Sequence, residues 1–357
     1  MEHLLDVQDL CVAFRGDNHQ EHTVVDHVSF QVNSGEILCI VGESGCGKSV
    51  TSLAIMGLLS RNGHITGGRV LFDDQDLTKM SEKELDTIRG SKMTMIFQDA
   101  LTSLNPVFTV GKQLMESLRI HMGMTKDEAG QRAVELLEKV GLPDPVTMMK
   151  KYPHQLSGGQ RQRVMIAIAL SCNPRLLIAD EPTTALDVTI QAQIMALTKK
   201  LIHELNMSMI LITHDLGLVA EMADRVMIMY AGQIVETADV HTLFRSPAHP
   251  YTQALLGAVP SIYDGPGRQL VSIRGTVPEN YEDLIGCRFA DRCDKACEKC
   301  REASAGHTFY QAGDGHAVRC TLYSTDGDRS ARNTLSPADD NHPDRSTLCD
   351  KEVTAHG

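Results

Sequence analysis

The run Gly42-Glu43-Ser44-Gly45-Cys46-Gly47-Lys48-Ser49 restricts this chain more than any other feature. It stands between an apolar stretch, Glu36 to Val41, that reads as a buried strand, and a segment from Lys48 to about Leu59 that reads as a helix. A strand entering a glycine loop that opens a helix is the context in which this spacing cradles phosphate. Glycines let successive backbone N–H groups turn toward the anion, and the helix presents its positive end to it. The ligand implied is ATP with Mg²⁺. Lys48 is expected on the β and γ phosphates and the Ser49 hydroxyl on the metal. Gly42, Glu43, Ser44, Gly45, Cys46, Gly47 and Val50 complete the contact run. Cys46, placed at a helix N-terminus, is expected to be an acidic, alkylation-sensitive thiol.

Two other stretches belong with that loop. Leu176-Leu177-Ile178-Ala179-Asp180-Glu181 is an apolar strand that finishes in two carboxylates. Buried charge of this kind must be compensated, and a magnesium nucleotide does so. Asp180 would hold Mg²⁺, directly or through water, and Glu181 would polarise the attacking water; the plainer alternative is an exposed acid pair at a strand end. Leu156-Ser157-Gly158-Gly159-Gln160 opens a helix running to Ser171, with Ser157 as its N-cap, so its first amides and positive dipole again suit an anion. A phosphate held between two such sites is most simply built from two subunits.

Between these stretches the chain alternates strand and helix. Leu5, Val7, Leu10, Val12 and Phe14, then Val24, Val25, Val28, Phe30 and Val32, follow the two-residue period of an antiparallel hairpin. Further strands are expected at Gly67 to Phe72, Met93 to Phe97, Met209 to Thr213, Arg225 to Tyr230 and Gln233 to Val235. Helices are expected over Val188 to Leu205 and from Leu216. From about Asp99 to Cys172 helical periodicity takes over; Ala129, Ala133, Val134, Leu137 and Val140 fall on one side of a helix over Lys126 to Val140. The pattern predicts an α/β protein with a mostly parallel sheet, helices on both faces, and the nucleotide at the carboxyl ends of the strands.

Composition narrows the setting. The formal net charge of −12 argues against the basic face of a nucleic-acid binder. No run approaches the ~20 apolar residues needed to cross a bilayer, so a cytoplasmic location is expected and any membrane association should run through a protein partner. Five of the ten cysteines fall between Cys287 and Cys320, which reads as a metal or iron-sulfur site rather than a disulfide scaffold. From Thr325 onward Ser, Asp, Asn, Arg and Pro predominate, and a disordered tail is expected.

With the glycine loop, the acidic strand end and the Leu156 to Gln160 run in one chain, the sequence resembles an ATP-binding subunit of an ABC transporter. The resemblance implies a P-loop NTPase fold: a RecA-like core with an antiparallel β subdomain and a helical subdomain. It assigns Gln98 to a loop that senses Mg²⁺ and the transmembrane partner, Asp187 to a dimer-contact loop, and His214 to a switch on the γ-phosphate. Phe14 falls where the family stacks an aromatic ring on adenine. Phe14 is also a natural edge-strand core residue, and His214 an ordinary polar loop residue.

The segments Gln98-Asp99-Ala100-Leu101-Thr102-Ser103-Leu104-Asn105-Pro106-Val107 and Ser246-Pro247-Ala248-His249-Pro250-Tyr251-Thr252-Gln253-Ala254-Leu255-Leu256 resemble the oligopeptide/dipeptide importers of that family. Ala100 stands where proline is usual there. The implied partners are two transmembrane permease subunits, a second ATP-binding subunit and an extracytoplasmic solute-binding protein, with no nucleic acid. The implied cargo is di- or oligopeptide, with nickel, glutathione or another small solute as alternatives. A soluble ABC ATPase is a rival reading, as is an interaction module in which ATP only regulates.

The expected division is residues 1–98 and 173–250 as nucleotide-binding core, 99–172 as helical subdomain, 251–324 as a small Cys-rich domain and 325–357 as tail. The spacing Cys287-x5-Cys293-x6-Cys300 with distant Cys320 is similar to that family's C-terminal pattern, for which a [4Fe-4S] cluster is implied in some members. Cys287, Cys293, Cys300 and Cys320 are the expected ligands and Cys297 the spare, with Zn²⁺ kept open by the Cys297-x2-Cys300 pair.

Overall fold

In the computed structural model, residues 3–16, 20–98, 103–184, 186–259, 273–278, 280–306 and 308–324 are described. Strands β1 (His3–Arg15), β2 (Glu21–Asn33), β4 (Gly63–Phe72) and β5 (Gln75–Asp76) form an antiparallel sheet in the order β2-β1-β4-β5. A second sheet contains β3 (Ile37–Val41), β6 (Met93–Ile96), β7 (Leu176–Asp180), β8 (Ser208–Thr213), β9 (Arg225–Tyr230) and β10 (Gln233–Asp239). Its edge is completed by β11 (Tyr310–Gly313) and β12 (His316–Val318), giving the order β11-β12-β10-β9-β3-β8-β7-β6. Pairing from β9 through β6 is parallel, and from β9 outward through β10, β12 and β11 it is antiparallel.

The central strands are apolar on both faces because both faces are covered. In β3, Ile37, Cys39 and Val41 join one core cluster, while Leu38 and Ile40 join the other. Leu177 and Ala179 likewise separate from Leu176 and Ile178, as the two-residue period of a strand requires. One cluster packs the sheet against the antiparallel strands and helix α1 (Lys48–Ile55). The other packs it against the helices inserted between β6 and β7, at Val110–Met122, Lys126–Lys139, Pro145–Met148 and Gly158–Leu170. Capping residues set these helix ends: Thr109 and Thr125 accept from the amides of Lys112 and Glu128, and left-handed Gly123 closes the first of the helices.

Helix α1 stops at Ile55, short of the expected Leu59, with Gly57 just beyond at φ 63°. The β11–β12 hairpin was not expected from the sequence, because its strands are three or four residues long and alternate weakly. It extends the main sheet and is bonded to it around Glu236, which is fully buried on β10. That carboxylate accepts from the amides of Ala248 (2.7 Å) and His249 (2.8 Å), and lies 2.7 Å from His316 Nε2. Residues 325–357, expected as a tail, lie outside the described residues, as do Asp99 to Thr102 of the Gln98 segment. Among the described residues no helix is long and apolar enough to cross a membrane.

Removing the Glu236 carboxylate strands three buried partners, each worth ~1 to 3 kcal/mol when unmade. Glu236→Ala is therefore expected to lower unfolding free energy by about 3 kcal/mol or more, with Glu236→Gln costing less, as read from urea denaturation midpoints.

Candidate functional site

Parallel register places the site. Ile96 is level with Ala179, Asp180 with Ile212, and Val41 with Thr213, so the chain leaves four neighbouring strands at one edge. The residues just past those ends are Gln98, Glu181, His214 and the glycine loop that begins at Gly42. Glu181 gathers the others: it accepts from Gln98 Nε2 (3.1 Å) and Thr184 Oγ1 (2.9 Å), and lies 3.2 Å from His214 Nδ1. Its backbone is left-handed, at φ 43°, and its amide bonds the carbonyl of Ile212 on β8. Burial works to raise the Glu181 carboxyl, and the Thr184 and His214 hydrogen bonds outweigh it, holding it below the usual carboxylate range.

Asp180 is buried and its Oδ1 has no hydrogen-bond partner among the described residues. Burial pushes its carboxyl up, opposed by a hydrogen bond from Ser49 and reinforced by the Glu181 charge. A buried carboxylate with an unmatched oxygen beside a hydroxyl is a donor set for a hard divalent cation, so Ser49 and Asp180 fit Mg²⁺.

The glycine loop needs its glycines. A Cβ on Gly42 would stand 2.2 Å from the Met229 carbonyl oxygen, and one on Gly47, at φ 104°, 2.9 Å from that of Val24. Ser44 and Gly45 are exposed at the tip of the loop, and Val50 is half-buried against the core. Lys48 Nζ donates to the carbonyls of Gly42 (2.7 Å) and Glu43 (2.9 Å), which fixes the ammonium across the loop. Cys46 corrects the sequence expectation. Its side chain is fully buried, and burial raises its thiol more than the Lys48 ammonium lowers it, so it is neither acidic nor accessible.

Ser157 caps the 158–170 helix, accepting from the Gln160 amide (3.3 Å), while Gln160 Oε1 accepts from the Ser157 amide (3.1 Å). Gly158 and Gly159 face Leu186 and Ile190; a Cβ on Gly159 would reach 2.9 Å from Ile190 Cγ2. Asp187 is the N-cap of Val188–Glu204, accepting from the Ile190 amide (3.0 Å). Phe14 lies half-buried on β1, its ring over Gly63, which pairs with it.

Three contributors were not singled out in the sequence. Thr184 is one; Tyr251 and Arg292 are the others. Tyr251 is fully buried and its hydroxyl accepts from the Glu43 amide (3.0 Å). Its ring packs with Tyr230 and Phe289 at centroid distances of 4.7 and 5.3 Å. Arg292 reaches Glu43 Oε2 (3.1 Å) and the Tyr230 hydroxyl (3.2 Å). The segment carrying the cysteines is thereby fastened to the glycine loop.

Cys287, Cys293, Cys300 and Cys320 line one cavity, together with His249 and Phe289, while Cys297 is exposed. Burial pushes the Cys287 thiol up to about 11 and Cys320 up to about 12. His249 Nε2 is buried without a partner among the described residues, and burial pushes its imidazole down to about 4. No three of the four sulfurs stand within 4.8 Å of one another. Four cysteine thiols lining one cavity are a donor set that suits a soft metal.

The strand-loop-helix cradle, the acidic strand end and the inserted helices define a P-loop ATPase of the ABC cassette class. Residues 25–184 match the family model for ABC transporters, and residues 235–300 that for the oligopeptide/dipeptide transporter C-terminal region. The chain is similar to the oligopeptide transport ATP-binding protein AppD of Bacillus subtilis (52% identity; 92% of this chain, 99% of that one). It is also similar to the dipeptide transport ATP-binding protein DppD of Escherichia coli (50% identity; 89% and 96%). Among solved structures it is similar to the dimeric bacterial ABC transporter cassette MJ0796 (29% identity, TM-score 0.60; 66% and 98%). The chain belongs to the ATP-binding proteins of the oligopeptide/dipeptide ABC transporter family, and it is an ATPase subunit.

Arg292→Ala leaves Glu43 beside the phosphate loop without its cation. The expected outcome is an ATP KM raised on the order of tenfold, equivalent to ~1.4 kcal/mol, with kcat changed less and partial recovery in Arg292→Lys, measured by steady-state ATPase kinetics.

Proposed function

We propose that the chain is the Mg²⁺-dependent ATPase subunit of a peptide importer, seated at the cytoplasmic face of the membrane on two permease subunits. The observation that carries this reading is the gathering of Gln98, Thr184 and His214 on Glu181, next to an Asp180 whose buried oxygen lacks a partner. Lys48 and the amides of Gly42 to Val50 bind the nucleotide phosphates. Ser49 and Asp180 hold Mg²⁺, with Gln98 completing its surroundings. Magnesium, when bound, neutralises charge developing on the β and γ phosphate oxygens. Glu181 orients the attacking water and accepts its proton; His214 positions Glu181 and meets the γ-phosphate. Phe14 packs on the adenine ring.

Ser157, Gly158, Gly159 and Gln160 serve the phosphate of a second cassette, and Asp187 lies at that contact. The named dimer of the similar cassette MJ0796, whose post-hydrolysis form is described bound to ADP and phosphate, supports this arrangement. Phe97 and Val107 are exposed apolar residues flanking residues 99–102, and they support a permease contact beside Gln98. An external solute-binding protein delivers the cargo. The names of AppD and DppD support di- or oligopeptide as that cargo.

Residues 1–98 and 173–250 act as the core, 99–172 as the helical unit, and 251–324 as a Cys-rich unit. Its group is a [4Fe-4S] cluster held by Cys287, Cys293, Cys300 and Cys320. The same four thiolates would also hold a tetrahedral Zn²⁺, which is the alternative group.

Two measurements test these assignments. Glu181→Gln is expected to keep ATP binding and lower kcat on the order of 10²- to 10⁴-fold, while peptide stimulates the wild-type complex assembled with permeases and binding protein. Full activity from the isolated chain, indifferent to permease and peptide, would sink the importer reading. Anaerobically purified protein is expected to hold about four iron and four sulfide per chain, lost in Cys293→Ser; stoichiometric zinc without iron would replace the cluster with a zinc site.

A further inference from the structure

A second group of metal-competent side chains lies on the antiparallel sheet, and neither ATP chemistry nor the C-terminal cysteines use it. Between the pairs Leu10↔Val28 and Val12↔Val25, a single residue of β1, Cys11, stands opposite two residues of β2, Asp26 and His27. Two residues against one is a β-bulge, and it re-aims side chains that regular pleating would send to opposite faces. The result is that Cys11 Sγ, an Asp26 oxygen and a His27 ring nitrogen all lie within 4.8 Å of one another.

The surroundings of these three atoms are those of a ligand set. Asp9 Oδ1 is 2.7 Å from His27 Nδ1. A carboxylate on one ring nitrogen fixes the tautomer and directs the other nitrogen outward as a ligand. That other nitrogen, Nε2, faces Asp26 Oδ1 at 3.8 Å, too long for a hydrogen bond and close to the separation of two ligands on one ion. The second Asp26 oxygen, Oδ2, is held by Gln233 Nε2 (2.9 Å) and the Arg288 guanidinium (2.6 Å), which orients the carboxylate. Cys11 Sγ accepts from the His27 amide (3.3 Å) and is half-buried. Asp9 and His27 both take left-handed backbone, at φ 53° and 50°, in forming the arrangement.

We infer that Cys11, Asp26 and His27 bind a borderline divalent transition cation, best matched by Zn²⁺, with Asp9 as the positioning residue for His27 and water as fourth ligand. One thiolate, one imidazole and one carboxylate are a donor set that zinc takes in four-coordinate form, whereas Mg²⁺ and Ca²⁺ require oxygen. The inference does not depend on the ATPase reading or on the identity of the C-terminal group.

The test is alkylation of Cys11 in the full-length protein, followed by peptide mass spectrometry across a Zn²⁺ titration. Zinc is expected to slow modification of Cys11 at least tenfold at saturation, with Mg²⁺ giving no protection. Asp9→Asn should shift the protecting zinc concentration upward by about 10- to 100-fold, and His27→Gln should abolish protection while leaving ATP binding intact. Cobalt(II) added to wild type should give a thiolate charge-transfer band that disappears in Cys11→Ser and persists in Cys293→Ser. Unprotected Cys11 in wild-type protein, or a cobalt band lost only in Cys293→Ser, would overturn the assignment.

Discussion

Everything in the site hangs on the parallel pairing of β3 with β8, and of β8 with β7 and β6. Because the ladder is parallel and in close register, Val41, Ile96, Asp180 and Thr213 end within two residues of one another, and the next residues of four separate strands come out at the same edge. None of those side chains needs a long reach. Gln98 and His214 meet Glu181 through ordinary hydrogen-bond distances because the backbone has already delivered them. Slipping one strand by a residue would turn every core side chain of that strand to the opposite face, so the division of β3 and β7 between two apolar clusters also locks the site.

The glycine loop is supported from a direction its own neighbourhood does not reveal. Its Glu43 is held by a tyrosine hydroxyl and an arginine that both come from beyond residue 250, while Arg288 and Tyr281 reach β2 behind it through Asp26 and Val24. Arg288 follows Cys287 directly and Arg292 precedes Cys293. Any group that ties those cysteines together therefore also sets the position of one cation at the nucleotide loop and of another on β2 behind it. The Tyr230, Tyr251 and Phe289 rings form the apolar part of the same junction.

Legibility in the sequence followed contact range. Strand β7 and the cap Ser157 were readable because their signals are local: an apolar run ended by acid, or an oxygen side chain three residues before an amide it accepts from, whereas Asp187, which also caps a helix, was picked by family resemblance as a dimer contact. Glu181 was legible as the acid that follows β7, Gln98 and His214 were picked by family resemblance, and the mutual contact of the three follows from register that no local pattern encodes. Cys46 was misjudged because proximity to a helix N-terminus is visible in sequence and complete burial is not. Arg292 was invisible, as a charged residue in a stretch without periodicity acquires meaning only when the fold brings it to Glu43. The Cys11 bulge was passed over for a similar reason, since regular alternation puts Cys11 and Asp26 in an unremarked hairpin.

The brace on the loop also has a temporal side. Glu43 and Arg292 are 249 residues apart. At ~5 to 20 residues per second, a ribosome needs roughly 12 to 50 s to travel between them. Throughout that interval the emerging chain owns a phosphate loop but not the arginine that steadies it. The loop is thus steadied only long after it has been made, and a chain released within that interval by a stalled ribosome leaves with its nucleotide loop unbraced.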